Sequence, residues 1–164
     1  PADALGPRTV QRILVTMGAG AAPPVRGLRP VAAVAPGVAA ATGLSLQQLA
    51  VALVGQLRPA AVVCVDSLCS AEGQRLGRTG QFSDAGLYPA QADHTRHLTR
   101  DTLGVPVVAA GIPTLMQAQE GADLVVTPRA LDSVIAHGAA LLAGSVNHAL
   151  QPRLTVQQLC WLTG

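Results

Sequence analysis

Lysine is missing altogether from this 164-residue sequence, and charged residues of every kind are few, at 12%. All 11 basic residues are arginine, and 9 acidic residues bring the formal net charge to +2. So small and scattered a charge gives no electrostatic footprint for nucleic acid. No apolar run reaches the ~18–20 residues that cross a bilayer. Because 49% of the residues are hydrophobic, the chain is too apolar to be disordered. We expect a single folded domain over residues 1–164, with no nucleic-acid or membrane partner.

Aromatic side chains and cysteines are also scarce. One Trp, one Tyr and one Phe occur in the whole chain, so the core has to be built from Ala, Val and Leu. The three cysteines, Cys64, Cys69 and Cys160, are an odd and sparse set, whereas a disulfide scaffold needs an even number at closer spacing. Their number favours a reducing, intracellular compartment.

Short apolar runs alternate with helical patterns along the chain. Runs of this kind suit strands that are buried on both faces, and we predict them at 31–35, 61–65 and 105–109, with a further short strand at 79–83. Helices are predicted at 7–17, at 46–57, after the N-cap pair Thr127-Pro128, and after Thr155. Two S/T-x-x-Q capping boxes, Ser45 with Gln48 and Thr155 with Gln158, mark helix starts.

This alternation predicts an α/β fold, a three-layer sandwich with a mainly parallel sheet. A βα unit normally begins with a strand, but this sequence opens on a loop and a helix. We therefore expect a first sheet strand to lie upstream of Pro1. Binding sites in open α/β sheets form at the carboxyl ends of strands.

Asp66 stands at such a position, directly after the apolar run 61–65. A carboxylate there is partly desolvated, so it must find partners or take up a proton; the other interpretation is a helix or loop cap. If a strand precedes Pro1, Asp3 also sits at the carboxyl end of a strand, although alone it reads as a cap or turn residue. Together, the two form a candidate carboxylate pair that shares one proton and serves general acid–base catalysis.

Other polar residues have simpler interpretations. Asp84 lies in a turn-like Ser-Asp-Ala-Gly cluster. Asp93, His94 and His97 have the spacing of a helix start, either solvated or part of a metal site whose third ligand no spacing fixes.

Cysteines, a glycine pair and a group of arginines complete the candidates. Cys64 reads as core, and Cys69 has no histidine nearby in the sequence to activate it. Gly18-Ala19-Gly20 follows a helix and contains no lysine, so it does not predict a phosphate loop. The arginines that flank the irregular region either bind substrate carboxylates or are solvated; they are Arg75, Arg78, Arg96 and Arg100.

Several collinear motifs resemble those of the germination protease family, the atypical aspartic endopeptidases of spores. The opening Asp3-Ala4-Leu5-Gly6-Pro7 resembles that family's Pro-Asp-Ala-Leu-Gly-Pro, with Ala2 where the family has proline. Further blocks follow in the family's order and extend the resemblance to about residue 150. They are 29–31, 35–38, 42–43, 65–68, 83–87, 102–107, 111–114, 126–128 and 143–150.

This resemblance implies the fold of the hydrogenase-maturation endopeptidases (phosphorylase/hydrolase-like) and the cleavage of small acid-soluble spore proteins during germination. It implies a zymogen, a tetramer, a cytoplasmic location in the spore core and no cofactor or metal for the protease itself. The two aspartates proposed for catalysis in the family fall on Asp3 and Asp66.

The sequence also departs from the family. The family's propeptide and its Gly-Leu-Gly-Asn-type strand are absent before Pro1, its glycine-rich stretch is replaced by Ala90-Gln91-Ala92, and its long insertion after Thr114 is nearly gone. Two alternatives stay open. One is a metal-dependent maturation endopeptidase in which Asp3, Asp66 and a histidine such as His94 hold a divalent ion; the other is a non-catalytic homologue that binds a partner or assembles.

Overall fold

The computed structural model describes residues 4–18, 25–37, 42–88, 97–117 and 125–164. Within these ranges helices and strands are interspersed along the chain, and a 3-10 turn lies at Gly73–Arg75. The elements in order are α1 (Leu5–Val10), α2 (Leu46–Leu57), β1 (Val62–Ser70), β2 (Gln81–Ser83), α3 (Arg100–Leu103), β3 (Val107–Gln117), β4 (Val125–Val126), α4 (Leu131–Leu150) and α5 (Val156–Thr163). None of these helices has the length and apolarity needed to cross a membrane.

Two helices begin at the predicted capping boxes. The Ser45 side chain accepts from the Gln48 amide, and the Gln48 side chain accepts from the Ser45 amide, so α2 starts where the sequence predicts. Thr155 and Gln158 do the same for α5. Helix α2 ends at Leu57 because Arg58 turns left-handed, at φ 47°, just before Pro59.

The sheet is mixed and is built around one long parallel pair. Strands β1 and β3 run parallel from Val62↔Val107 to Ser70↔Met116, with a register shift after Leu68. Short strands β2 and β4 pair antiparallel with β3, giving the order β1-β3-β2 with β4 also on β3. The predicted strands at 61–65 and 105–109 are thus confirmed and are longer than predicted, and the strand predicted at 79–83 is found as β2.

Helices cover both faces of this sheet. On one face, Leu5 of α1 and Ala139 and Leu142 of α4 form a core with residues of β3. On the other face, Leu103 of α3 and partly buried residues of α2 pack around Cys64 of β1. Helix, sheet and helix therefore form three layers, which confirms the predicted α/β sandwich.

The strand predicted at 31–35 is wrong: residues 31–37 form no ladder with any described strand. The carbonyl of Val31 instead accepts from the amides of Thr16 and Met17, each at 3.0 Å. Val34 is 53% exposed, so this apolar run does not form a buried strand.

Two helix boundaries also differ from prediction. Helix α1 ends at Val10 instead of residue 17, because Asn147 of α4 captures the following backbone: its Oδ1 accepts from the Leu14 amide at 2.9 Å and its Nδ2 donates to the Arg12 carbonyl at 2.8 Å. Thr127 is not the N-cap of α4, which begins at Leu131 after a turn closed by the Leu131 amide and the Pro128 carbonyl.

Candidate active site

Asp66 is half-buried and lies inside β1, paired with Gly111 of β3. The sequence placed it just past the end of a strand, but Asp66, Ser67, Leu68 and Cys69 continue the ladder to Ser70. One carboxylate oxygen of Asp66, Oδ1, accepts from the Ser67 amide at 2.8 Å. The expected partial desolvation of Asp66 is confirmed, although the residue does not end its strand.

Gly111 lets β3 approach β1 very closely beside Asp66. A Cβ added to Gly111 would collide with the carbonyl oxygen of Asp66 and would lie 2.7 Å from Cγ of Leu68. Glycine inside a strand often marks such an approach of another backbone. The missing side chain at Gly111 thus helps to fix where the Asp66 backbone lies.

Helix α1 reaches the same strand from the opposite layer. A Cβ on Gly6 would lie 3.0 Å from the carbonyl oxygen of Val65, the residue before Asp66. Leu5 is fully buried and packs in one core cluster with Ala110 and Ile112, and Val65 borders that cluster. The segment that follows Asp3 in sequence therefore packs against the backbone just before Asp66, on the sheet face of Val65 and not on that of the Asp66 side chain, whereas Asp3 itself lies outside the described residues.

Cys64 faces the same side of the sheet as Asp66, because side chains alternate along a strand. Burial, and secondarily the charge of Asp66, raises the pKa of the Cys64 thiol to about 11. A thiol with that pKa stays protonated at neutral pH and is no nucleophile. The prediction that Cys64 belongs to the core is confirmed, since it is only 8% exposed.

Other candidates with described positions lie at the surface. Asp84 is exposed in a bend after β2, as its turn-like sequence predicts, and Cys69 is exposed as well. Arg75 forms an ion pair with Glu72 at 3.1 Å, and Arg78 and Arg100 are exposed.

The predicted metal and glycine-rich segments are described only in part. The His97 ring makes an edge contact with Tyr88, with centroids 5.1 Å apart. Among the described residues, no three His, Cys, Asp or Glu side chains are grouped to hold a metal. Several candidate positions fall outside the described ranges, namely Ala19, Gly20, Asp93, His94 and Arg96.

The sequence did not predict the close backbone approaches at two glycines that shape the site, Gly6 and Gly111. Both belong to motifs that carried the resemblance, Asp3-Ala4-Leu5-Gly6-Pro7 and the block 111–114. The available signal for Gly111 is a glycine two residues after the apolar run 105–109, because a glycine within a strand often marks the close approach of another backbone.

Comparison with known proteins identifies the family to which this chain is similar. The family model described as germination protease matches residues 1–120, which include Gly6, Asp66 and Gly111. This chain belongs to the germination protease family. The resemblance seen in the sequence motifs is thereby confirmed.

Relatives named germination protease align over most of the chain. The protein of Halalkalibacterium halodurans is 38% identical over 140 residues, covering 82% of this chain and 36% of its own length. That of Bacillus subtilis is 38% identical over 121 residues, covering 71% and 33%. That of Clostridium perfringens strain 13 is 28% identical over 208 residues, covering 96% and 64%. The chain thus spans about one to two thirds of the length of these germination proteases.

The Clostridium perfringens alignment is longer than the chain, at 208 against 164 residues. That germination protease therefore contains residues with no counterpart here. This agrees with the sequence observation that a long insertion of the family is nearly absent.

Proposed function

We propose that this chain is an endopeptidase of the germination-protease type and that Asp3 and Asp66 are its catalytic carboxylates. Family membership supports the reaction class. The half-buried position of Asp66 supports its role, because a partly desolvated carboxylate beside a second one shares a proton with it.

The observation that supports this pairing is the close approach of Gly6 to Val65, where an added Cβ would lie 3.0 Å from the Val65 carbonyl oxygen. It fixes the start of α1 one residue away from Asp66. Three residues of chain span at most ~11 Å, so connectivity alone limits how far Asp3 can be from Gly6. In this proposal the two acids, 63 positions apart in sequence, would meet near the middle of β1.

The proposed reaction is hydrolysis of a peptide bond by an activated water. The ionised aspartate takes a proton from the water while the water oxygen bonds to the scissile carbonyl carbon. The protonated aspartate then donates its proton to the amide nitrogen as the C–N bond breaks, releasing an amine and a carboxylic acid. Backbone amides or an arginine would stabilise the oxyanion.

The proposed substrates are small acid-soluble spore proteins, and the proposed setting is the cytoplasm of the spore core during germination. These, together with zymogen processing and a homotetramer, follow from the family resemblance. Sedimentation of the purified chain tests the assembly: a monomer at micromolar concentration would contradict the tetramer without bearing on the catalytic pair.

Two single variants test the catalytic pair. In each of Asp66→Asn and Asp3→Asn, cleavage of a small acid-soluble spore protein should fall at least ~100-fold, the usual contribution of a general acid or base. Asp101→Asn is the matched control, since Asp101 is an exposed aspartate in the first turn of α3. Circular dichroism and thermal melting establish that all three variants are folded.

Three outcomes would contradict the proposal. Full turnover by Asp66→Asn removes that residue from the mechanism. Stoichiometric metal that is lost together with activity on chelation favours the metal-dependent endopeptidase. A folded wild-type chain that cleaves no substrate favours the non-catalytic homologue.

A further inference from the structure

The carboxylate of Asp66 is held by the backbone of the next residue. Its Oδ1 accepts a hydrogen bond from the Ser67 amide at 2.8 Å. A backbone N–H that donates to a carboxylate stabilises the ionised form over the protonated form. In a pair of acids that shares one proton, this donor therefore favours Asp66 as the member that carries the charge.

The Ser67 amide points away from the neighbouring strand β3. The Val62 amide, at the start of β1, donates to the Pro106 carbonyl at 2.9 Å. Because backbone groups alternate in direction along a strand, the amides of residues 62, 64 and 66 point toward β3 and those of residues 63, 65 and 67 point to the outer side. Among the described strands, β1 pairs with β3 alone. The Ser67 amide thus binds the Asp66 carboxylate without the loss of a hydrogen bond of the ladder.

This hydrogen bond draws the carboxylate toward the edge of the sheet at which α1 begins. The Asp66 side chain leaves β1 on the face of Cys64, but its Oδ1 bonds to an amide on the outer side of the strand. The Val65 carbonyl points to that outer side as well, and a Cβ added to Gly6 would lie 3.0 Å from its oxygen. The Asp66 carboxylate and the start of α1 therefore approach the same edge of β1.

The described surroundings do not oppose a negative charge on Asp66. Burial, and secondarily the charge of Asp66, raises the pKa of the Cys64 thiol to about 11, so its nearest neighbour on that face is neutral at neutral pH. Helix α2 and strand β3 carry no titratable side chain. The titratable side chains in the described parts of α1, of α3 and of the chain between β2 and α3 are exposed, except His97, which is half-buried; they are Arg8, Asp84, Tyr88, His97, Arg100 and Asp101.

We propose that Asp66 is the general base of the carboxylate pair, that Asp3 is the general acid, and that Ser67 is a positioning residue whose backbone amide keeps the charge on Asp66. This inference rests on the proposed function and assigns the two roles that it leaves open. Asp66 takes a proton from the attacking water as the water oxygen bonds to the scissile carbonyl carbon. Asp3 gives its proton to the amide nitrogen as the C–N bond breaks. Transfer of the proton from Asp66 to Asp3 then restores the starting state.

Two substrates of one sequence, with a peptide bond or a thioester at the scissile position, separate these roles. A thiolate leaves without a proton, since a thiol has a pKa of about 8.5, whereas an amide nitrogen requires one. Asp66→Asn should lose at least ~100-fold in kcat/KM on both substrates, and Asp3→Asn should lose ~100-fold on the peptide but less than about tenfold on the thioester. The reverse pattern, or equal losses by both variants on the thioester, would overturn the assignment.

NMR measures the protonation states without any turnover. Spectra of the chain with isotope-labelled aspartate carboxyl groups, assigned from the two Asn variants, follow each acid as the pH is lowered from about 8. Asp3 should take up its proton at a higher pH than Asp66. The opposite order, or two acids that both stay ionised until the chain unfolds, would overturn the proposal even in a chain that cleaves nothing. The expected order without cleavage would contradict the peptidase activity alone.

Proline at residue 67 removes the amide N–H at an outward position, where an edge strand tolerates it. Ser67→Pro should raise the pH at which Asp66 takes up a proton by about one unit or more and should lower kcat about tenfold, with KM within about twofold. Val63→Pro makes the same change at another outward amide and should alter neither the titration nor kcat. Ser67→Ala keeps the amide and should keep the wild-type order of protonation. An unchanged Asp66 titration in a folded Ser67→Pro chain, or an equal shift in either of the other variants, would overturn the role of the Ser67 amide.

Discussion

Replacing Gly111 with alanine tests how closely β1 and β3 approach beside Asp66. The new Cβ would meet two obstacles, the carbonyl oxygen of Asp66 and Cγ of Leu68. Gly111 is not among the glycines with positive φ, so alanine can adopt its backbone conformation. Any loss of stability therefore reports crowding between the strands.

The size of the effect follows from these distances. Leu68 Cγ would lie 2.7 Å from the added carbon, against about 3.5–4.0 Å for relaxed carbon–carbon contact. One extra methyl in a packed core costs about 1–3 kcal/mol, and here a backbone oxygen has to move as well. Alanine also stabilises the folded state by about 0.5–1 kcal/mol, because it lowers the conformational entropy of the unfolded chain. We expect a net loss of about 2 kcal/mol in the free energy of unfolding.

Urea denaturation measures this loss as a lower midpoint at an unchanged slope. Adding Leu68→Ala to Gly111→Ala removes the side-chain obstacle but leaves the Asp66 carbonyl in place. The double variant should be less destabilised than the sum of the single changes, because the two positions are in contact. Since the Asp66 backbone has to shift, peptidase activity should fall in both variants.

A matched control is Gly55→Ala, in the last turn of α2, where an added Cβ has no neighbour within 4 Å. That change should stabilise the chain by about 0.5–1 kcal/mol. If the free energy of unfolding of Gly111→Ala lies within about 0.5 kcal/mol of the wild-type value, which is the scatter of neutral substitutions, the strands are not as close at Asp66 as described.

Four further substitutions test other parts of the structure. Gly138→Ala should destabilise the chain by about 1–2 kcal/mol, because the added Cβ would lie 2.5 Å from Cδ1 of Ile112. Gly144→Ala on the same helix meets nothing within 4 Å and should stabilise the chain by about 0.5–1 kcal/mol. Urea denaturation of both variants measures whether each change in the free energy of unfolding has the expected sign. Thr114→Val should raise the free energy of unfolding by about 1 kcal/mol in the same assay, because Oγ1 of this fully buried residue has no hydrogen-bond partner among the described residues; a destabilised variant would reveal a partner. Folding raises the pKa of the Cys64 thiol from its ordinary 9.0 to about 11. Between these two values the unfolded chain loses the thiol proton and the folded chain keeps it, so the free energy of unfolding should be unaffected below pH 9 and should fall by about 2–3 kcal/mol as the pH rises to 11. In Cys64→Ala this fall should be absent from the pH profile of stability.

Local signals in the sequence predicted part of this fold correctly. The capping boxes at Ser45 and Thr155 fixed two helix starts, because a side chain and a backbone amide three residues later satisfy each other without help from the rest of the chain. The apolar runs at 61–65 and 105–109 predicted the parallel pair, since both strands are covered by helices on both sides.

The remaining errors have tertiary causes. Asp66 looked like the end of a strand because periodicity is read from apolar residues, and pairing with Gly111 and the residues after it carries β1 onward to Ser70. The apolar stripe after Pro7 predicted a helix to residue 17, but Asn147, more than 130 positions away, binds the backbone at Arg12 and Leu14. No local sequence pattern predicts a hydrogen-bond partner so distant in the sequence.

Two buried amides on α4 and just after it have a consequence for how the molecule opens. Asn147 holds the backbone at residues 12–14, and Gln151, four positions later, accepts from the Arg29 amide at 2.9 Å and donates to its carbonyl at 2.8 Å. Fraying of that one helix end would release two separate stretches of chain at the same moment. In hydrogen exchange, the amides of Leu14 and Arg29 should therefore report a single shared opening free energy, as members of one cooperative unit.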